Sequence, residues 1–284
     1  MKTNYSVLIL VFLLGCTTVD YKEEVEVVSK IVLQGYIEEG DVSHVVLSTS
    51  VPIGSTVDTL SILKHLFLFA KVTVSDGTNS EVLIPQFDKN WIPPLIYTGK
   101  TIVGKSGNTY SIKVEYVGSV LKSTTTIPKS VPIRELNYVK NNPLDSTGYV
   151  FVKFDDPVNE KNHYQILTKV DGKEPVYVPA FYGNLNDDNF SSSDVNFQIN
   201  RGVLLITSNQ FKPYFSDGDF VFVKLRTMDK AAFDFWNDYQ NEIVNGLNPI
   251  FPANTSLKSN IIGGLGIWAG YGVSVVSLQT RKQE

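Results

Sequence analysis

The chain is predicted to be mainly β, with two β-sandwich domains of the immunoglobulin or fibronectin kind and one amphipathic helix near the C-terminus. Three observations predict it. Tyr110, Ile112, Val114 and Tyr116 alternate with Ser111, Lys113 and Glu115, the period-two pattern of a sheet with one dry face and one wet face. Similar short runs recur along the chain, separated by turn residues. Only one stretch of the 284 residues carries a clear helical stripe.

The first residues read as a targeting segment. Lys2 supplies the positive charge, and residues 7–14 form an unbroken apolar run, too short for the roughly 20 residues that cross a bilayer but right for a signal peptide. Leu13-Leu14-Gly15-Cys16 resembles a bacterial lipobox, with Leu14 bulkier than the usual occupant. Residues 1–15 are therefore expected to be a lipoprotein signal peptide, Cys16 to be lipidated, and residues 16–24 to be a polar tether. Cys16 is the only cysteine, so an exported form has no internal disulfide and depends on its core for stability. No later stretch has transmembrane length: the apolar residues 62–70 are interrupted by Lys64 and His65.

The first β-domain is expected over residues 25–128. Residues 25–37 and 45–48 read as strands. Val72-Thr73-Val74 runs into Ser75-Asp76-Gly77, a hairpin turn before Glu81-Val82-Leu83-Ile84, and the alternating strand from Tyr110 follows. Thr124-Thr125-Thr126-Ile127-Pro128 and Val131-Pro132 read as a linker, because proline withholds a ladder donor. The second region, residues 129–284, is also β-rich. Its strands are expected at residues 149–154, 163–170, 203–206 and 220–225; in the last, Val221, Val223 and Leu225 face one way, Lys224 and Arg226 the other. The helix, about 229–246, follows from the stripe Ala232, Phe235, Trp236, Tyr239, Ile243 and Leu247, with Asp229 as N-cap and Gly246 as stop.

Composition narrows the function classes. A net charge of −4, moving to about −5 when Lys2 leaves with the leader, and the absence of a basic run argue against nucleic-acid binding. Gly99-Lys100-Thr101-Ile102-Val103-Gly104-Lys105-Ser106 fits the phosphate-binding P-loop pattern, but no helix is expected after it; the reading is a loop leading into a strand. Gly263, Gly264, Gly266 and Gly270 miss the dinucleotide fingerprint and read as a kinked strand or close backbone packing. His44, His65 and His163 lack zinc-site spacing. The densest oxygen-rich segment is Asn186-Asp187-Asp188-Asn189 with Asp194 nearby. Asp187, Asp188 and Asp194 are the residues to consider for a cation, although Asx residues are common in turns. No metal or other cofactor is expected. No carboxylate pair or nucleophile elbow marks a catalytic site, so an enzyme is not expected.

The ordered set of motifs resembles domain-of-unknown-function family 4249, lipoproteins of Bacteroidota. It comprises Val32-Leu33-Gln34-Gly35-Tyr36-Ile37, Val45-Val46-Leu47-Ser48-Thr49-Ser50, Val72-Thr73-Val74-Ser75-Asp76-Gly77 and Gly107-Asn108-Thr109-Tyr110. Phe154-Asp155-Asp156-Pro157 before Asn162-His163-Tyr164, the Asp187-Asp188-Asn189-Phe190 loop, Phe235-Trp236 and Asn260-Ile261-Ile262-Gly263-Gly264-Leu265-Gly266 complete it. The resemblance implies an outer-membrane lipoprotein that accompanies TonB-dependent receptors; it implies no catalytic or ligand-binding residues. Lys22-Glu23-Glu24 is similar to surface-export signals, and Asp58-Thr59-Leu60 and Asp145-Ser146-Thr147 are similar to O-glycosylation sites of that phylum. The expected function is a non-enzymatic accessory or ligand-capture partner of such a transporter, lipid-anchored at the outer membrane on an undecided face. The alternatives are an adhesive or structural surface module and a glycan-active enzyme.

Overall fold

The computed structural model describes residues 29–50, 67–91, 94–202, 213–246 and 257–280. The leader, Cys16, the tether, His65, Asp58-Thr59-Leu60 and the strand expected at 203–206 lie outside these residues. The described residues are mainly β, with sixteen strands and a helix near the C-terminus.

The first sandwich is built from β1 (Ile31–Glu38), β2 (Val42–Thr49), β5 (Ile84–Phe87) and β6 (Leu95–Val103) facing β3 (Lys71–Ser75), β4 (Ser80–Val82), β7 (Thr109–Tyr116) and β8 (Ser119–Thr126). The alternation sets the packing. Tyr110, Ile112 and Val114 of β7 point inward against Leu33, Val45, Leu47 and Tyr97. The hairpin read at Ser75-Asp76-Gly77 is present, with β3 and β4 paired Thr73 to Val82 and Gly77 at φ +89°. The chain changes sheet at buried Leu83, whose N–H donates to the Val72 carbonyl at 2.8 Å.

The second sandwich sets β9 (Ile133–Lys140), β10 (Thr147–Asp155), β13 (Asp194–Ile199) and β14 (Phe215–Ser216) against β11 (His163–Val170), β12 (Val178–Asn186) and β15 (Phe220–Met228). Val150, Val152 and Phe154 meet Ile166, Val221, Val223 and Leu225 in its core.

One strand belongs to both. β16 (Leu265–Gln279) pairs in parallel with β1 from Leu265 to Tyr271, then antiparallel with β15 from Gly272 to Gln279. The result is a continuous sheet in the order β12-β11-β15-β16-β1-β2-β6-β5. Fully buried Trp268 fills the first core from this far end of the chain, its indole N–H donating to the Tyr110 carbonyl at 3.0 Å. Asn260 holds the strand in place: its side chain accepts from the Trp268 N–H at 2.9 Å and donates to the Trp268 carbonyl at 2.8 Å.

The C-terminal glycines mark close backbone packing, as read. A Cβ on Gly266, at φ +113°, would lie 1.9 Å from the Leu33 carbonyl oxygen. On Gly270 it would lie 2.9 Å from the Ile127 nitrogen. Thr124-Thr125-Thr126, read as linker, are instead the last residues of β8, paired with Thr109 to Ser111 of β7, so the connection between sandwiches is shorter than expected. The strands on either side of it hold the shared strand, through Gly270 N–H to Thr125 Oγ1 at 2.7 Å and Ile133 N–H to Ser274 Oγ at 2.9 Å. No helix among the described residues is long and apolar enough to cross a membrane.

Helix α1 (Lys230–Gly246) packs Ala232 and Phe235 on Ile267, Ala269 and Tyr271, on the sheet face away from the two cores. Asp229 caps it, its carboxylate accepting from the Ala232 N–H at 2.8 Å.

Candidate functional site

Strand alternation puts a charged cluster where the two sandwiches meet. In β1, Leu33 and Ile37 enter the core, so Tyr36 and Glu38 face the other way. In β15, Val223 and Leu225 enter the core, leaving Lys224 and Arg226 on that same outer face, with Tyr271 of β16 beside them. The Glu38 carboxylate accepts from Lys224 Nζ at 2.6 Å and from Arg226 Nε at 2.7 Å, and Arg226 Nη1 donates to Gln165 Oε1 at 3.1 Å. The Arg226 guanidinium lies 5.0 Å from the Tyr36 ring centre and 4.3 Å from that of Tyr271, and Lys224 Nζ stands 4.5 Å from the Tyr177 ring. These are cation–π distances.

Glu38 is only 4% exposed. Burial by itself raises a carboxyl pKa, but Arg226 and Lys224 together override it and hold Glu38 at about 2. Burial lowers Lys224 despite Glu38 and pushes Tyr271 up to about 12. Near neutral pH, Glu38 is a fixed negative charge clamped by two cations and exchanges no proton. The arrangement ties β1 to β15, one strand from each sandwich.

Aromatic rings extend the cluster in both directions. Tyr36 and His44 lie 5.3 Å apart, and Trp91, from the β5–β6 connection, stacks 6.1 Å from His44 and 6.4 Å from Tyr36. On the helix side, Trp236 Nε1 donates to Tyr271 Oη at 2.7 Å, and Asn184 Nδ2 donates to the Trp236 carbonyl at 3.1 Å. The sequence correctly set Lys224 and Arg226 opposite Val221, Val223 and Leu225, without saying what lies on their side. The face is covered, and no local signal joins Glu38 to residues 186 and 188 positions away.

The P-loop-like segment has a different role. Gly99 to Val103 are not a loop but the second half of β6, where the ladder jumps from His44–Thr98 to Val42–Val103. In this bulge the N–H groups of Lys100, Thr101 and Ile102 point at the Glu81 carboxylate at 3.0, 2.9 and 3.1 Å, with Thr101 Oγ1 at 2.8 Å. Successive amides do cradle an anion, as in a phosphate nest, but the anion is the protein's own Glu81 from the opposite sheet. Burial raises the Glu81 pKa, and these backbone donors more than offset it, leaving the carboxyl below its ordinary value.

The acidic residues considered for a cation are separated by their partners. Asp194 begins β13 and pairs with Arg134, which also holds Asp155. Asp187 and Asp188 form a single 3₁₀ turn with Asn189. Asp187 accepts from the Asn162 N–H at 2.7 Å, and Asp188 from Lys161 Nζ at 3.0 Å. Among the described residues no group of three or more His, Cys, Asp or Glu side chains is placed to hold a metal ion. His44 lies in the aromatic stack, and His163 is buried beside Phe233 at 4.8 Å, its pKa lowered by that burial. Two shallow polar hollows lie elsewhere, of about 500 Å³ beside Asp156 and Asp187 and about 420 Å³ between the turns at Asp76 and Asn108.

A family model described as a domain of unknown function (DUF4249) matches residues 17–276, nearly all of the chain. The chain belongs to that family. The match spans the outer-face cluster of Glu38, Lys224 and Arg226 as well as the shared strand up to Val276. No curated protein matches the chain. Among solved structures, a two fibronectin type-III domain segment from chicken tenascin is similar at 9% identity, covering 70% of this chain and 91% of that chain with a TM-score of 0.21. So slight a likeness adds nothing to the fold that the strand pairing defines.

Proposed function

We propose that this DUF4249 protein is a lipid-anchored outer-membrane lipoprotein, non-enzymatic, that docks on a TonB-dependent transporter and helps capture or admit its ligand. One observation carries the anchoring. The family match opens at residue 17, the residue directly behind Cys16 of the lipobox-like Leu13-Leu14-Gly15-Cys16. A chain cut before Cys16 begins where the family's shared sequence begins. One acylated cysteine with several chains is a firm anchor, since each buried CH₂ contributes about 0.8 kcal/mol.

The docking role rests on the receptor association that the resemblance implies and on the build of the body. Two sandwiches joined through β16 and clamped by Glu38 present one fixed surface, which lowers the ordering cost of binding a large partner. The test is genetic. Deleting the gene is expected to lower uptake of the ligand of the neighbouring receptor, with rescue by the intact chain and none by Cys16→Ser. Unchanged uptake in the deletion strain would sink the transport role and favour a free-standing adhesive module.

A further inference from the structure

The first sandwich has an apolar tip, and the chain enters the fold at that same end. Lys71 and Glu115 form the outermost pair of β3 and β7. Leu68 and Phe69 precede β3, separated from it by Ala70, at the end of the sheet where the β7–β8 turn carries Val117. Phe67 packs edge-on against Tyr116 at 4.5 Å, fixing the segment there. Phe69 is 90% exposed, Val117 86% and Leu68 51%. Single exposed apolar residues are ordinary; three at one end of a sandwich are not.

The entry point is fixed by Gly264. A Cβ there would lie 2.6 Å from the Leu121 side chain and 2.7 Å from the Ile31 carbonyl oxygen, so the start of β1 sits next to the start of β8, at the Val117 end. Lys30, whose N–H donates to Ser50 Oγ at 2.9 Å, leads into β1 from that end. The described chain therefore enters the body at that end, and the thirteen residues that separate Cys16 from Lys30 can span at most about 45 Å. Exposed Lys30 stands at this end, a charge that suits anionic headgroups, while exposed Lys71 is paired with Glu115 at 3.9 Å.

We propose that this end is a membrane-contact tip: Phe69, Leu68 and Val117 enter the headgroup–acyl boundary of the leaflet that holds the lipid on Cys16. The proposal rests on the anchored reading above and adds an orientation to it. The first sandwich stands on the lipid and the second is held away, because β16 runs about 45 Å from the tip to the far end.

The test replaces residues 1–16 by a histidine tag, so that vesicles of phosphatidylethanolamine, phosphatidylglycerol and a nickel-chelating lipid hold the chain without Cys16. A fluorophore is placed through Ser119→Cys at the tip or, separately, through Leu144→Cys in the β9–β10 turn beside the far end of β16. A lipid-borne quencher is expected to dim the tip label several-fold more than the Leu144 label. Phe69→Ser with Val117→Ser, both on exposed positions, is expected to abolish the difference. Equal quenching at both sites overturns the proposal. So does a tip signal that follows protein concentration instead of quencher, which would mean that a second copy covers the tip. The anchor itself is checked apart, by the mass of the Cys16 peptide from native membranes.

Discussion

At the residue scale, the most informative groups are two buried or half-buried carboxylates that sequence patterns did not single out. Glu38→Ala would leave Lys224 and Arg226 desolvated without their counter-charge, and removing one partner of a buried pair costs about 3–5 kcal/mol. Chemical denaturation of the two proteins at pH 7 measures it. The pH dependence has a definite sign. Glu38 sits at about 2 against an ordinary 4.5, so its contribution is complete above about pH 4.5 and disappears as pH falls toward 2. The stability difference between wild type and Glu38→Ala is expected to shrink over that window and to stay flat from pH 5 to 7. Glu81→Ala strips three backbone donors of their acceptor; water reaches the exposed Lys100 and Thr101 N–H groups, so the expected loss is about 1 kcal/mol. Because the Glu81 pKa is also lowered, that loss too should fade in acid; an undiminished difference at low pH would contradict the nest. Neither residue was legible, for a physical reason. Charge within an alternating strand looks like a solvated face until the covering element is known, and a P-loop pattern reports glycines and a lysine, not what the amides point at.

At the scale of elements, legibility followed the strength of the local period. The strand at 163–170 coincides with β11, the hairpin at Asp76-Gly77 is β3–β4, and the helix read at 229–246 is α1 with Asp229 as its cap. Losing that cap through Asp229→Ala is expected to cost about 1 kcal/mol, read as a lowered Tm. A change much larger than that would mean that Asp229 does more than cap. The strands that escaped notice are those whose pattern is broken by tertiary demands. β6 bulges around the Glu81 carboxylate, and β12 slips its register against β11 between Asn184 and Pro179. β16 carries glycines where a neighbouring backbone comes too near for any side chain. Those glycines were recognised as close packing, but a glycine does not say against what. The contacts with Leu33 and Ile127 span more than half the chain.

At the scale of the molecule, the two sandwiches are joined into one body by β16. The core of the first is completed by Ile261 and Trp268, so residues 25–128 expressed alone are expected to lack a cooperative unfolding transition, while the chain from residue 17 to 284 shows one. A well-dispersed spectrum from the isolated fragment would show that β16 is dispensable. The division into two β-rich regions could be read from the alternating runs and the prolines after Thr126, but the return of the last strand to the first could not, because long-range pairing leaves no mark in local sequence. A single body of this kind, offering one continuous surface, is the form that the transport-accessory reading requires. That reading is tested most directly by isolating the tagged protein from its own outer membrane in mild detergent and identifying what accompanies it. The expected result is a large β-barrel receptor in stoichiometric amount; the protein recovered alone, from a membrane that still contains the receptor, would contradict it.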